Sequence, residues 1–148
     1  MSEHQANLTW VRGDSGFGYK EFSRDHRWDF PSSKQSLKAS SAPKYLGSED
    51  CVDPEEGYVA ALASCHMLTF LAVASMSGYV VDSYQDKAVG QLAPDENKKM
   101  VITRVTLHPQ IEFSGEKIPD AEGLESLHQK AHRECFLANS VKTEVVWQ

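Results

Sequence analysis

The chain opens Met-Ser-Glu-His-Gln-Ala, with neither the basic start nor the apolar core of a secretory leader. A reducing, cytosolic setting is therefore expected. Cysteine is scarce. Cys51, Cys65 and Cys135 are too few and too odd in number for a secreted disulfide framework. Positive charge is short as well: 15 Lys and Arg stand against 21 Asp and Glu, for a net charge of -6. That balance argues against nucleic acid, which calls for a basic face. No internal repeat, low-complexity tract or linker breaks the 148 residues, so a single domain spanning 1–148 is expected.

What the chain does have is one long apolar stretch, from Asp53 to Gly78. It opens as a helix should. Asp53 is a good N-cap, Pro54 suits the first helical position, and Glu56 completes a capping box. Gly78 suits a left-handed terminator. Between them the residues are small or apolar on nearly every face, which predicts a helix buried all round. The stretch is about long enough to cross a bilayer, for which roughly 20 apolar residues suffice. Ser64, Cys65, His66, Thr69, Ser75 and Ser77 interrupt it, however, and no Lys or Arg flanks it closely. A buried core helix is the reading, with no membrane partner.

Around this helix the pattern alternates between strands and one further helix. Asn7 to Arg12 and the aromatic-rich Phe17 to Phe30 read as a hairpin, and Gln35 to Ser41 as a short third strand. After Gly78, two strand-like runs (Tyr79 to Tyr84, Ala88 to Leu92) precede Met100 to Phe113. That run is a strong strand signal, with Pro109 marking a bulge or edge. Ala121 to Asn139 is predicted as a second helix, with Leu124, Leu127, His128, Ala131, Cys135 and Ala138 on one stripe. Val141 to Trp147 closes the chain as a strand. The sum is α+β, with a largely antiparallel sheet and two long helices. A helix apolar on all sides needs more cover than one such chain supplies, and a dimer packing central helices from both copies would provide it.

Three constellations could carry chemistry. Cys65 in the buried helix and Cys135 on the second could each pack as a small hydrophobe. On helices that share a core they could also pair, if their Cα atoms come within about 7 Å. Cys51, in a polar loop, reads as an incidental thiol. His128, His132 and Cys135 lie at i, i+4 and i+7, a His/His/Cys face able to bind zinc, although no fourth ligand is evident and a packed face explains it too. A reactive thiol also needs a nearby cation. Arg24, Arg12 and Arg27 are candidates, with Glu55 able to hold one of them. Glu55 and Cys65 are about 15 Å apart along a straight helix, so a direct contact would require a bend.

Asp-Pro-Glu55, then Ala61-x-x-x-Cys65, then Ala131-His-x-x-Cys135-x-x-x-Asn-Ser140 resemble the OsmC/Ohr family of thiol peroxidases, and Ser-Arg24-Asp stands where that family carries its arginine. The element order agrees over nearly the whole chain. The resemblance implies an OsmC-like fold built as an intertwined homodimer, with the active site at the dimer interface. It implies Cys65 as peroxidatic nucleophile and Cys135 as resolving thiol. Arg24 would stabilise the Cys65 thiolate, with Arg12 as fallback, and Glu55 would orient the arginine. His66 after the nucleophile and the aromatic run from Tyr19 to Phe30 depart from the family's well-known peroxidases.

The expected function is thus a cofactor-free reduction of organic hydroperoxides through a Cys65 sulfenic acid and a Cys65–Cys135 disulfide. A dithiol, of lipoyl type by the resemblance, would reopen it. Two alternatives stand beside it. One is a non-catalytic dimer whose cleft binds a small apolar ligand or zinc. The other is a redox sensor using the same disulfide.

Overall fold

The computed structural model describes all 148 residues. The chain divides into two compact units, Met1–Gly57 and Tyr58–Gln148, and the division falls in the first turn of the long helix.

The first unit holds a three-stranded antiparallel sheet of β1 (Asn7–Thr9), β2 (His26–Phe30) and β3 (Gln35–Ala39), in that order. Asn7 lies opposite Asp29, and His26 opposite Ala39. Strand β2 is shorter than the aromatic run predicts, because residues 17–24 form a loop. Glu21 explains part of this. Its amide donates to the Gly18 carbonyl and its carboxylate accepts from the Gly18 amide. The aromatic residues pack on one another instead of on a sheet: Phe17 stacks on Phe22 at 4.9 Å, and Trp10 meets Phe22 edge-on at 5.8 Å. The later loops are tied by Asp25, which accepts from the Ser40 and Ser48 hydroxyls at 2.8 and 2.7 Å. Those bonds hold its carboxyl below the usual range.

Helix α1 (Pro54–Met76) starts as the sequence predicts. The Glu56 amide donates to Asp53 Oδ1 at 2.8 Å, and the Asp53 amide donates to Glu56 Oε2 at 3.1 Å, which is a complete capping box. Gly78, at φ +79°, takes the left-handed conformation just past the end.

In the second unit, β4 (Val80–Asp86) pairs antiparallel with β7 (Pro109–Ser114). Strand β5 (Val89–Pro94) pairs antiparallel with β6 (Met100–Leu107), and β6 pairs parallel with β8 (Glu144–Trp147). The run expected as one strand is therefore two, split at His108 between different sheets. Pro109, which has no amide to donate, begins the second. Helix α2 (Ala121–Glu134) is also shorter than expected. Cys135 is its C-cap in extended conformation, and a short 3-10 turn follows at Ala138–Ser140.

Two apolar clusters fill this unit, and both lean on α1. Leu62 packs with Val105, Leu107 and Val145. Phe70, Val73 and Ala74 pack with Leu127 and Ala131 of α2, against Tyr84, Ile111 and Phe113. The buried positions of α1 (Leu62, His66, Phe70, Val73, Ala74) form a single stripe at helical spacing. The expectation of burial on every face does not hold within the chain. Leu68 is 60% exposed and Met76 81%. One stripe is as much as these two clusters can cover.

Phe70 is wholly buried between α2 and β4/β7. Phe70→Ala is expected to cost about 3–5 kcal/mol of stability, read as a lower midpoint in chemical denaturation with a barely changed slope.

Candidate functional site

Cys65 lies on α1 one residue before His66, just off the buried stripe, and is half-buried. Cys135 caps α2 and is buried, with 1% exposure. The two sulfurs lie 2.7 Å apart, with the Cys135 thiol donating to Cys65 Sγ. Both are free thiols in this structure. Burial, then the bond to Cys65, push the Cys135 thiol up to about 11. Cys135 therefore keeps its proton at neutral pH and points it at Cys65. Cys65 is also the sulfur with solvent exposure, so a reagent from outside meets it first.

The helix ends set this geometry. Cys135 leaves the helical path at φ -70°, ψ 113°, with its amide still donating to the His132 carbonyl. The Ala138 amide approaches Cys135 Sγ at 3.5 Å. On α1, the Thr69 hydroxyl bonds back to the Cys65 carbonyl at 2.8 Å.

Arg24 is held within the first unit. Its guanidinium donates to the Tyr19 and Phe22 carbonyls and lies 4.0 Å over the Phe22 ring. Glu55, in the same unit, stands in the first turn of α1, and no ion pair joins it to Arg24 in the single chain. Arg12 donates to the Ser15 carbonyl, and Arg27 is paired with Asp29 at 2.8 Å. Of the three arginines, Arg27 is thus committed to a carboxylate and the other two are not. Cys51 sits in a loop of that unit beside Asp50, and slight burial and nearby carboxylates raise its thiol, away from the reactive form.

His128, His132 and Cys135 do not converge as a metal face. His128 turns to His66, Cys135 turns to Cys65, and no group of three His, Cys, Asp or Glu side chains comes together. A cavity of about 650 Å³ lies elsewhere in the second unit, lined by Tyr58, Ile102, Lys142, Thr143 and the Asp95–Asn97 turn.

Sequence reasoning left His66 and Trp147 without a role and did not pair His128 with His66. His66 Nε2 and His128 Nδ1 are 3.0 Å apart, with the rings nearly parallel. The Trp147 ring stacks 5.6 Å from each, and His132 lies 5.7 Å from the same indole. The signal was there: a histidine midway along a buried stripe of α1 and another on the apolar stripe of α2.

Burial pushes both His66 and His128 down to about 4, with His128 and His132 lowering His66 further and Glu125 partly opposing the shift at His128. Unfolded, each would titrate near 6.5. Between pH 6.5 and 4 the unfolded chain takes up protons that the native pair refuses, so acidification favours unfolding there. The melting temperature is expected to hold above pH 6.5 and to fall by several degrees from pH 6.5 to 4.5. A His66→Leu/His128→Leu variant should show a shallower fall over the same window, followed by circular dichroism.

Comparison with known proteins agrees with this architecture. The sequence profile described as OsmC-like protein matches residues 47–148. An OsmC-like protein of unknown function from Vibrio cholerae is 47% identical, with TM-score 0.94 over 100% of this chain and 99% of its own. More distant structures share the fold. The organic hydroperoxide resistance protein of Elizabethkingia anophelis is 16% identical, with TM-score 0.70 over 99% of this chain and 97% of its own. That of Bacillus subtilis is 18% identical, with TM-score 0.64 over 97% and 98%. No curated protein sequence matches the chain.

Proposed function

The chain belongs to the OsmC-like protein family, and from that premise we propose that it is a cysteine-based peroxidase reducing organic hydroperoxides. The observation that carries the reading is the Cys65–Cys135 contact at 2.7 Å, with one sulfur reachable and its partner buried and protonated. Family members named for organic hydroperoxide resistance add weight to the choice of substrate class.

In this mechanism the Cys65 thiolate attacks one peroxide oxygen. The O–O bond breaks, the alcohol leaves after taking a proton, and Cys65 becomes a sulfenic acid. Cys135 then attacks the Cys65 sulfur. The S–O bond breaks, the Cys135 proton goes to the departing oxygen, and water and a disulfide result. A dithiol of lipoyl type restores both thiols by exchange and is itself oxidised. No cofactor takes part. Arg24 is assigned to the thiolate and the peroxide, and Glu55 to orienting Arg24, in a homodimer where the exposed side of α1, with Leu68 and Met76, packs on a second copy. Exposed Phe136, beside Cys135, offers apolar surface to the organic part of the substrate. The assigned setting is the cytosol.

Purified protein is mixed with cumene hydroperoxide and dihydrolipoamide, and dithiol consumption is followed. Cys65→Ser is expected to lose roughly 10³-fold or more in turnover. Cys135→Ser should still consume one equivalent of peroxide per chain and then stop, with a sulfenic acid trapped at Cys65. Turnover that survives Cys65→Ser removes the proposal.

A further inference from the structure

We propose that the buried His66–His128 hydrogen bond is a positioning contact that holds α2 in register against α1, so that Cys135 meets Cys65 for disulfide closure. The inference rests on the two-thiol function proposed above.

Three observations carry it. The first is location. His66 follows Cys65 directly on α1, and His128 precedes Cys135 by seven residues on the same face of α2. Two side-chain hydrogen bonds join α1 to α2 and its cap, His66 to His128 and Cys135 to Cys65. A slip of one residue along α2 moves its end by about 1.5 Å and turns it by about 100°. That would carry Cys135 away from a sulfur that must come to about 2.05 Å to bond.

The second is bracing. Trp147 of β8 stacks on both imidazoles, and its Nε1 is fixed by Glu125 at 2.9 Å, which also accepts from Gln129. Phe70 closes the other side of His128 at 4.6 Å. The pair is clamped by three elements.

The third is cost. His66 is 1% exposed and His128 3%, and His66 Nδ1 is buried without a partner. An unpaired buried polar atom costs about 1–3 kcal/mol. A leucine between Leu62 and Phe70 would avoid that cost and complete the apolar stripe. Stability alone does not account for two histidines here. A directional bond that admits one register does, because apolar packing tolerates sliding.

The test separates closure from folding and from peroxidase turnover. The Cys65–Cys135 pair is equilibrated with reduced and oxidised dithiothreitol, with no peroxide present, in wild type, His128→Leu, His66→Gln and His128→Asn. Gln and Asn place an amide where Nε2 and Nδ1 stood. His128→Leu, which leaves His66 Nε2 without a partner, is expected to stay folded with a melting temperature a few degrees below wild type and to shift the pair about ten-fold toward the dithiol, while the two amide variants stay within about three-fold of wild type. With one equivalent of cumene hydroperoxide, His128→Leu should oxidise Cys65 at the wild-type rate but accumulate about ten-fold more dimedone-trapped sulfenic acid. A His128→Leu pair that closes as in wild type overturns the proposal, as does an Asn variant no better than Leu. Wild-type thiols that equilibrate with dithiothreitol but do not react with peroxide overturn the peroxidase reading alone. The positioning claim is then decided by the equilibrium.

Discussion

One buried stripe on one helix governs the second unit. Leu62, His66, Phe70, Val73 and Ala74 face inward along α1, and both apolar clusters are built on them. The N-terminal half of the stripe serves the β5-β6-β8 sheet and the C-terminal half serves α2 and the β4-β7 pair. His66 sits between the two. The position of Cys65 follows directly: one residue off the stripe turns its side chain by about 100°, which leaves the sulfur at the margin of the core. Burying α1 on all sides would have sealed that sulfur.

Cys135 reaches the same margin by a different route. It keeps the place on the α2 stripe that periodicity gives it, at the point where the helix stops. Its extended ψ turns the following chain off the helical path, and the 3-10 turn that follows brings the Ala138 amide to 3.5 Å from the sulfur. The two thiols are thus delivered by elements with different constraints, one by the middle of a rigid helix and one by a helix end. Register between α1 and α2 decides whether they meet.

Much of this was legible in the sequence. The capping box at Asp53 and Glu56, the Gly78 terminator and the stripe on α2 are local signals with local causes, and each is where the pattern puts it. The nearness of Cys65 and Cys135 was legible from the resemblance and from two helices that had to share a core. What failed to read out depends on competition between distant groups. The aromatic run after Gly16 has strand composition, yet the loop's carbonyls satisfy the Arg24 guanidinium, which a strand would not permit. Met100 to Phe113 has one continuous pattern, but alternation says nothing about which sheet a strand joins, and His108 lets the chain change sheets. The helical spacing of His128, His132 and Cys135 left a metal face and a packed face both open, because spacing carries no information about partners across the core.

The chemistry and the packing meet in the contrast between the two polar pairs that link α1 with α2. In the thiol pair, burial falls unequally, so the sheltered thiol is pushed up while the half-buried one meets solvent. In the imidazole pair, burial falls on both rings, so neither gains charge at neutral pH and the contact stays a neutral hydrogen bond. A charged group there would pull water or a counter-ion into the core and loosen the helix contact. A neutral pair can be stacked on Trp147 and Phe70 and remain rigid. Unequal burial leaves one thiol open to solvent and equal burial gives fixity. Adjacent residues of α1 thus carry a half-open contact and a closed one.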